Sequence, residues 1–276
     1  MKVGAWFHGH NDIPLQVQIE QAASNGLTTV RSYEIGYSEK VAPVLQKAGM
    51  SLLAGMHIKD KALLAGWQSQ VRVDELARYH ELGIPLEVIC VGNELRENGT
   101  DPRKKRFTAR LSFGLANVLS TYRHWLDDHG FQTPLTYAME GIVFDREGNF
   151  NDWLWPLIDV CDIVSLNLYP MNFAAWYTFG AFEESRLFLH DNRIRNERLL
   201  LFELRLRRVL DQLKEAGKRL ILSETGFPSA VGYLRDENHA KITRERSPIH
   251  VAFGLCNRSG TPKLNLKQLM RNLAAI

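Results

Sequence analysis

Apolar residues in this chain follow two alternating rhythms. Short apolar, β-branched runs at 3–7, 28–33, 51–58, 86–94, 135–141, 162–170 and 219–227 have the length of strands. Longer stretches at 14–24, 39–48, 61–82, 103–129, 152–160 and 195–216 space their apolar residues with the helical period. In 103–129, Leu111, Leu115, Val118, Tyr122 and Leu126 share one stripe, which predicts the side facing a sheet. Asp101 is a candidate cap for that helix, Pro102 suits its first turn and Gly130 suits its end.

Seven strands alternating with six helices predict an α/β fold of repeated β-α units. With no linker or composition shift, the chain reads as one domain, 1–276, a single (β/α)8 TIM barrel. A doubly wound open sheet is the alternative, but no glycine-rich turn follows the first strand. The eighth strand is uncertain. Residues 249–255 are the candidate, and if 236–246 begin the seventh helix no eighth strand can be placed.

Composition narrows the partners. The 276 residues are 45% hydrophobic and 24% charged, ordinary for a folded soluble chain. A formal net charge of +3, spread along the sequence, gives no reason to expect nucleic acid. The basic runs at 103–106 and 205–208 read as solvated helix faces. Cys90, Cys161 and Cys256 lie far apart, and the first two sit in or beside apolar strands as small buried hydrophobes. No apolar run approaches the roughly 18 residues of a membrane span. Residues 1–7 read as a strand without a signal-peptide pattern, so the expectation is a cytoplasmic protein or a secreted one whose leader has been trimmed.

Two carboxylates then change the picture. Glu94 ends the run LEVICVGNE and Glu224 stands in LILSETGFP, each at the close of an apolar strand. Burying a carboxylate at such a point is costly unless partners or chemistry compensate. Strand ends meet at one face of a barrel, and paired carboxyl groups from different strands are what glycosidic-bond cleavage requires. Glu140, closing 137–140, is a third acidic candidate with a supporting or substrate-contacting role. The structural alternative for Glu94 is a helix cap or half of an ion pair, and for Arg31 a buried partner of a carboxylate.

Four segments together resemble glycoside hydrolase family 17, the β-1,3-glucanases and related glucanosyltransferases. They are Arg31-Ser32-Tyr33, Val91-Gly92-Asn93-Glu94, Asn167-Leu168-Tyr169-Pro170 and Ser223-Glu224-Thr225-Gly226-Phe227-Pro228-Ser229. Their order covers roughly residues 1–230, and Phe227 replaces the family's usual Trp. The resemblance implies a retaining hydrolase of a β-linked glucan, most readily β-1,3-glucan, with Glu94 as acid/base and Glu224 as nucleophile. It further implies that Asn93 donates to the sugar 2-hydroxyl, that Tyr169 orients the nucleophile, and that Arg31 and Tyr33 line the same face. Sugar-stacking candidates are Trp6, Tyr37, Phe173, Trp176, Tyr177 and Phe227, with Trp176 and Tyr177 the best placed. No cofactor is implied, and the expected partner is an oligo- or polysaccharide.

Neighbouring readings stay open. A β-glucan transglycosylase, or a β-1,4-glucanase or mannanase, would use the same pair of glutamates. His8-x-His10 after the first strand fits a metal-dependent amidohydrolase barrel, but strands five and six hold no histidine and strand four no lysine. A non-catalytic carbohydrate-binding barrel is disfavoured because both glutamates are intact.

Overall fold

The computed structural model describes residues 4–6, 14–24, 27–98, 105–140, 149–167, 192–224, 234–235 and 242–243. The chain divides into two compact units, 1–139 with 151–165, and 140–150 with 166–276.

In the first unit the strands are β1 (Gly4–Trp6), β2 (Thr29–Arg31), β3 (Ser51–Met56), β4 (Leu86–Asn93), β7 (Leu135–Glu140) and the start of β8 (Ile163–Asn167). They lie side by side in that order, and β1 through β4 and β7 pair in parallel. Between β4 and β7 the chain also makes a small antiparallel ribbon, β5 (Glu97–Asn98) with β6 (Lys105–Arg106). Each main strand thus neighbours its predecessor in sequence, without the reversal of order that defines a doubly wound sheet. The β-branched runs supply the buried sheet: Val30, Leu52, Ala54, Val88, Ile89, Val91 and Leu135 are all buried.

Helices cross between the strands: α1 (Leu15–Ser24), α2 (Ile35–Ala48), α3 (Asp60–Ala65), α4 (Val73–Glu81), α5 (Ala109–Asp128) and α6 (Trp155–Val160). The five residues expected to form the stripe of α5, Leu111, Leu115, Val118, Tyr122 and Leu126, are fully buried. Gly130 takes φ 73 just beyond that helix, and Phe131 N donates to Leu126 O at 2.8 Å, closing its last turn.

Two helix expectations need correction. The stretch 61–82 is not continuous: α3 ends before Gly66, a 3-10 helix covers Trp67–Gln70, and α4 follows. The interruption is held by tertiary bonds. Gln70 Oε1 accepts from Lys59 N at 3.1 Å, and Tyr122 Oη donates to Gln70 O at 3.0 Å while accepting from Arg72 N at 2.8 Å. The start of α5 is not near 103. Lys105 and Arg106 are in β6, not on a helix face, and Thr108 is the cap, its Oγ1 accepting from Leu111 N at 3.4 Å. Asp101 and Pro102 lie outside the described residues.

The second unit contains the end of β8, helix α7 (Asn192–Glu215), β9 (Arg219–Glu224) and a two-stranded ribbon, β10 (Leu234–Arg235) with β11 (Ile242–Thr243). Here β9 follows β8 in the sheet order. Arg208 Nε on α7 donates to Asn149 Oδ1 at 3.0 Å and Phe150 N donates to Gln212 Oε1 at 3.1 Å, fixing 149–150 against that helix. Arg207 and Arg208 are exposed, as expected of a solvated helix face.

The strands of each unit therefore follow the expected order, and the parallel sheet of the first unit is consistent with part of a barrel. The complete eight-stranded barrel is not shown, because 249–255 lie outside the described residues. Cys90 and Cys161 are buried, and neither forms a disulfide among the described residues.

Candidate active site

In a parallel β-α sheet, side chains at the C-terminal strand ends escape the core and meet one another. At that edge of the first unit, the ends of β2, β3 and β4 enclose a cleft of about 680 Å³. Four of the residues singled out in sequence line it: Arg31, Tyr33, Asn93 and Glu94.

Arg31 closes β2 and is only 4% exposed. Its Nη2 donates to Asn93 Oδ1 at 2.8 Å and its guanidinium lies 4.7 Å from the centroid of the Tyr33 ring. The bond fixes the orientation of the Asn93 amide, with Oδ1 as the acceptor facing Arg31 and Nδ2 as its donor edge. The stack on Tyr33 holds the guanidinium plane in turn. Between them, Ser32 is buried, its Oγ within 2.6 Å of Ser38 Oγ and accepting from Gly55 N at 3.4 Å. Gly55 itself admits no side chain, since a Cβ there would fall 2.4 Å from Ser32 O. Tyr79 Oη donates to Gly55 O, and burial pushes its ionisation well above the ordinary tyrosine value. The floor behind Arg31 and Tyr33 is thus a buried polar tie joining β2, β3, α2 and α4.

Glu94 directly follows β4 and has an unusual backbone. At φ 45 it is the one non-glycine residue with positive φ among the described residues, a conformation costing about 1–2 kcal/mol for an L-residue. Gly92, at φ 81, turns the chain two residues earlier. The β4–β7 register shifts between Cys90 and Asn93, so this is a bulge. Successive strand residues face opposite ways, whereas here the adjacent Asn93 and Glu94 both line the cleft. The bulge is secured from β7: Glu94 N donates to Ala138 O at 3.1 Å and Leu95 N donates to Tyr137 Oη at 2.8 Å. Glu94 Oε2 lies 3.5 Å from Arg96 Nη2, and its side chain is 25% exposed, so the carboxylate is accessible from the cleft.

The other expected site residues fall elsewhere. The backbone of Glu140 ends β7 and that of Glu224 ends β9. Next to Glu224, Ser223 Oγ donates to Asn167 Oδ1 at 2.7 Å, joining two of the four recognised segments within the second unit. Tyr37 sits on α2, away from the cleft lining. Its hydroxyl is buried and burial pushes its pKa to about 12, which marks a packed aromatic. Trp6 lies on β1, paired in register with Arg31. Tyr169, Phe173, Trp176, Tyr177, Phe227, His8 and His10 are outside the described residues.

Sequence reading missed one wall of the cleft, formed by His57, Lys59, Asp60 and Lys61 after β3, and by Arg96. Four titratable residues within five positions, directly beyond an apolar strand, were the available signal. Among the described residues no cluster of three or more metal-ligating side chains occurs.

Neither a protein-family model nor a curated protein matches the sequence. Solved structures do. An endo-laminarinase from Formosa Hel1_33_131 superposes with a TM-score of 0.60 at 12% identity, over 99% of this chain and 74% of that one. A structure from a study of two plant β-glucan endohydrolases with distinct substrate specificities gives 0.58 at 13% identity, over 95% and 98%. A β-galactosidase from the psychrophilic Marinomonas ef1 gives 0.54 at 12% identity, over 100% and 59%. At these identities the likeness is one of fold alone.

Proposed function

We propose that this protein is a retaining glycoside hydrolase acting on a β-linked glucan, most readily β-1,3-glucan, of the family 17 type. The reading takes residues 1–276 as one catalytic (β/α)8 domain with 249–255 as its eighth strand. The observation that carries it is the grouping of Arg31, Tyr33, Asn93 and Glu94 around one cleft, with Glu94 held there in a strained backbone conformation. Strain of that kind is retained where a side chain's position matters more than local stability. The fold shared with a laminarinase and plant β-glucan endohydrolases supports the choice of substrate.

In this reading Glu94 protonates the leaving glycosidic oxygen while the Glu224 carboxylate attacks the anomeric carbon. A covalent glycosyl-enzyme forms. Glu94, now a carboxylate, takes a proton from water, whose oxygen displaces Glu224 and restores the β-anomer. Retention calls for carboxyl groups about 5–5.5 Å apart. Asn93 Nδ2, oriented through Arg31, donates to the sugar 2-hydroxyl, a bond that strengthens in the transition state. Tyr169 orients the nucleophile, Glu140 supports the substrate, and Trp176, Tyr177 and Phe227 provide aromatic faces for sugar rings. A sugar hydroxyl in place of water would give transfer, seen as products longer than the starting oligosaccharide.

The deciding experiment is azide rescue with an aryl β-glucoside donor. Glu94→Ala and Glu224→Ala should each lose most turnover on laminarin while remaining folded. Azide should then yield a β-glycosyl azide from Glu94→Ala and an α-glycosyl azide from Glu224→Ala. Near wild-type turnover by either variant removes that residue from its role, and an α-anomer as first product of the wild type refutes retention.

A further inference from the structure

The cleft beside Glu94 is more positive than a neutral sugar chain requires. Its lining includes Arg31, Lys59, Lys61 and Arg96 against Asp60 and Glu94, so four cations less two anions leave a formal +2. When Glu94 carries the proton of a general acid the balance rises to +3. The whole chain, with 34 Lys and Arg against 31 Asp and Glu, carries only +3.

The arginines are engaged, Arg31 with Asn93 and Tyr33, Arg96 with Glu94. The lysines differ. Lys59 and Lys61 are exposed on the β3 side of the cleft, and among the described residues neither ammonium has an ion-pair partner. Asp60, between them in sequence, accepts from the backbone N of Lys61 at 2.7 Å, so its carboxylate is turned to the main chain. Two unneutralised ammonium groups beside a concave wall raise the local concentration of anions and disfavour cations. The neutral hydroxyls of a glucan have no need of them, and sugar carboxylates or sulfates do.

We propose that the cleft takes an acidic saccharide, a sugar chain carrying carboxylate or sulfate groups, which Lys59 and Lys61 hold on the β3 side of Glu94. The inference rests on the reading of this cleft as a sugar site and revises the favoured chain from a neutral β-linked glucan to one bearing charged groups. Lysine acts here as a mobile point charge, so either anion is accommodated without bidentate geometry.

The test compares three probes on the intact protein: a neutral laminari-oligosaccharide, its sulfated derivative, and an oligosaccharide of similar length containing glucuronic acid. Titration calorimetry and kcat/KM are read for the wild type, Lys59→Ala, Lys61→Ala and the double variant. The wild type should favour at least one charged probe over the neutral one by about 10-fold or more, and the favoured probe identifies sulfate or carboxylate. Each single variant should cut that ratio by about 3-fold or more, consistent with partly exposed ion pairs. The double variant should abolish it, with Lys→Arg at either position restoring most of the ratio. Raising sodium chloride from about 0.05 to 0.5 M should weaken the charged probe selectively, since screening shortens the reach of the lysines. A purely structural role for the lysines would not move the ratio between probes. Cleavage of the neutral probe with no preference for charge overturns this inference and leaves the sugar site standing. Failure to bind any of the three overturns both.

Discussion

Replacing Gly55 by Ala tests whether the floor of the cleft is as tightly built as its geometry implies. The added Cβ would meet Ser32 O at 2.4 Å, Tyr33 Cα at 2.5 Å and Tyr33 C at 2.8 Å, all backbone atoms with no side-chain freedom to yield. Real Cβ contacts essentially never fall below 3.0 Å, so β2 and β3 must separate locally by at least 3.0 − 2.4 = 0.6 Å. Overpacking of this kind costs about 1–3 kcal/mol. Ala recovers about 0.5–1 kcal/mol of the entropy that glycine loses on folding, leaving a net loss of about 1 kcal/mol at the middle of these ranges. At about 2–4 °C per kcal/mol, the melting temperature should fall by about 2–4 °C. The displacement lands on the segment carrying Arg31 and Tyr33, and a misplacement approaching 1 Å can cost on the order of 100-fold in rate. The assay pairs calorimetric melting with turnover on laminarin. Gly36→Ala in the first turn of α2 is the internal control, because its Cβ would have nothing within 4 Å and the helix gains up to about 1 kcal/mol. If Gly55→Ala melts and turns over like the wild type, the close approach of β2 and β3 is not a constraint and the argument for a rigid floor fails.

Two further outcomes follow from features remote from the cleft. Tyr122→Phe removes the hydroxyl that bridges Arg72 N and Gln70 O, and should cost about 1–3 kcal/mol in urea unfolding; an unchanged midpoint would show that the bridge does not hold the break between α3 and α4. His80 is stacked on Phe131 at 3.7 Å between centroids, its Nε2 is buried with no hydrogen-bond partner among the described residues, and burial lowers its pKa. The unfolded chain therefore takes up that proton more readily: the stability contribution is full above about pH 6.5 and is lost as pH falls through the folded-state value. His80→Phe should flatten stability against pH across that window, and retention of the wild-type slope would refute the assignment.

What could be read from sequence follows from what burial forces to be regular. The stripe of α5 was legible because Leu111 through Leu126 must all reach one sheet, and no other period accommodates them. The continuity of 61–82 was misread because apolar residues keep recurring through the break at Gly66. That break depends on Gln70 and Tyr122, 52 residues apart, and such a bond leaves no local signature. The start of α5 was misplaced for a related reason: Asp101 and Thr108 are both competent caps, and pairing of Glu97–Asn98 with Lys105–Arg106 favours the later one. Arg31, Asn93 and Glu94 stood out because each is polar where an apolar strand ends. Lys59, Lys61 and Arg96 did not, since exposed cations resemble any solvated surface until a cleft is seen between them.

The bulge at the end of β4 has a consequence for how this site can change. An uninterrupted strand binds every position to one pleat, so a new residue for a ligand comes at the expense of one for the core. Gly92 resets the pleat before Asn93 and Glu94. Upstream, Val88, Ile89 and Val91 answer only to packing; downstream, the next two side chains answer to whatever occupies the cleft. The two segments form separate inheritable modules joined at one glycine. Diversity introduced at 93, 94 and 96 can therefore be selected for new ligands on an unaltered sheet, and the core of β4 can drift without retuning the site, provided that Gly92 and the buried Leu95 stay fixed.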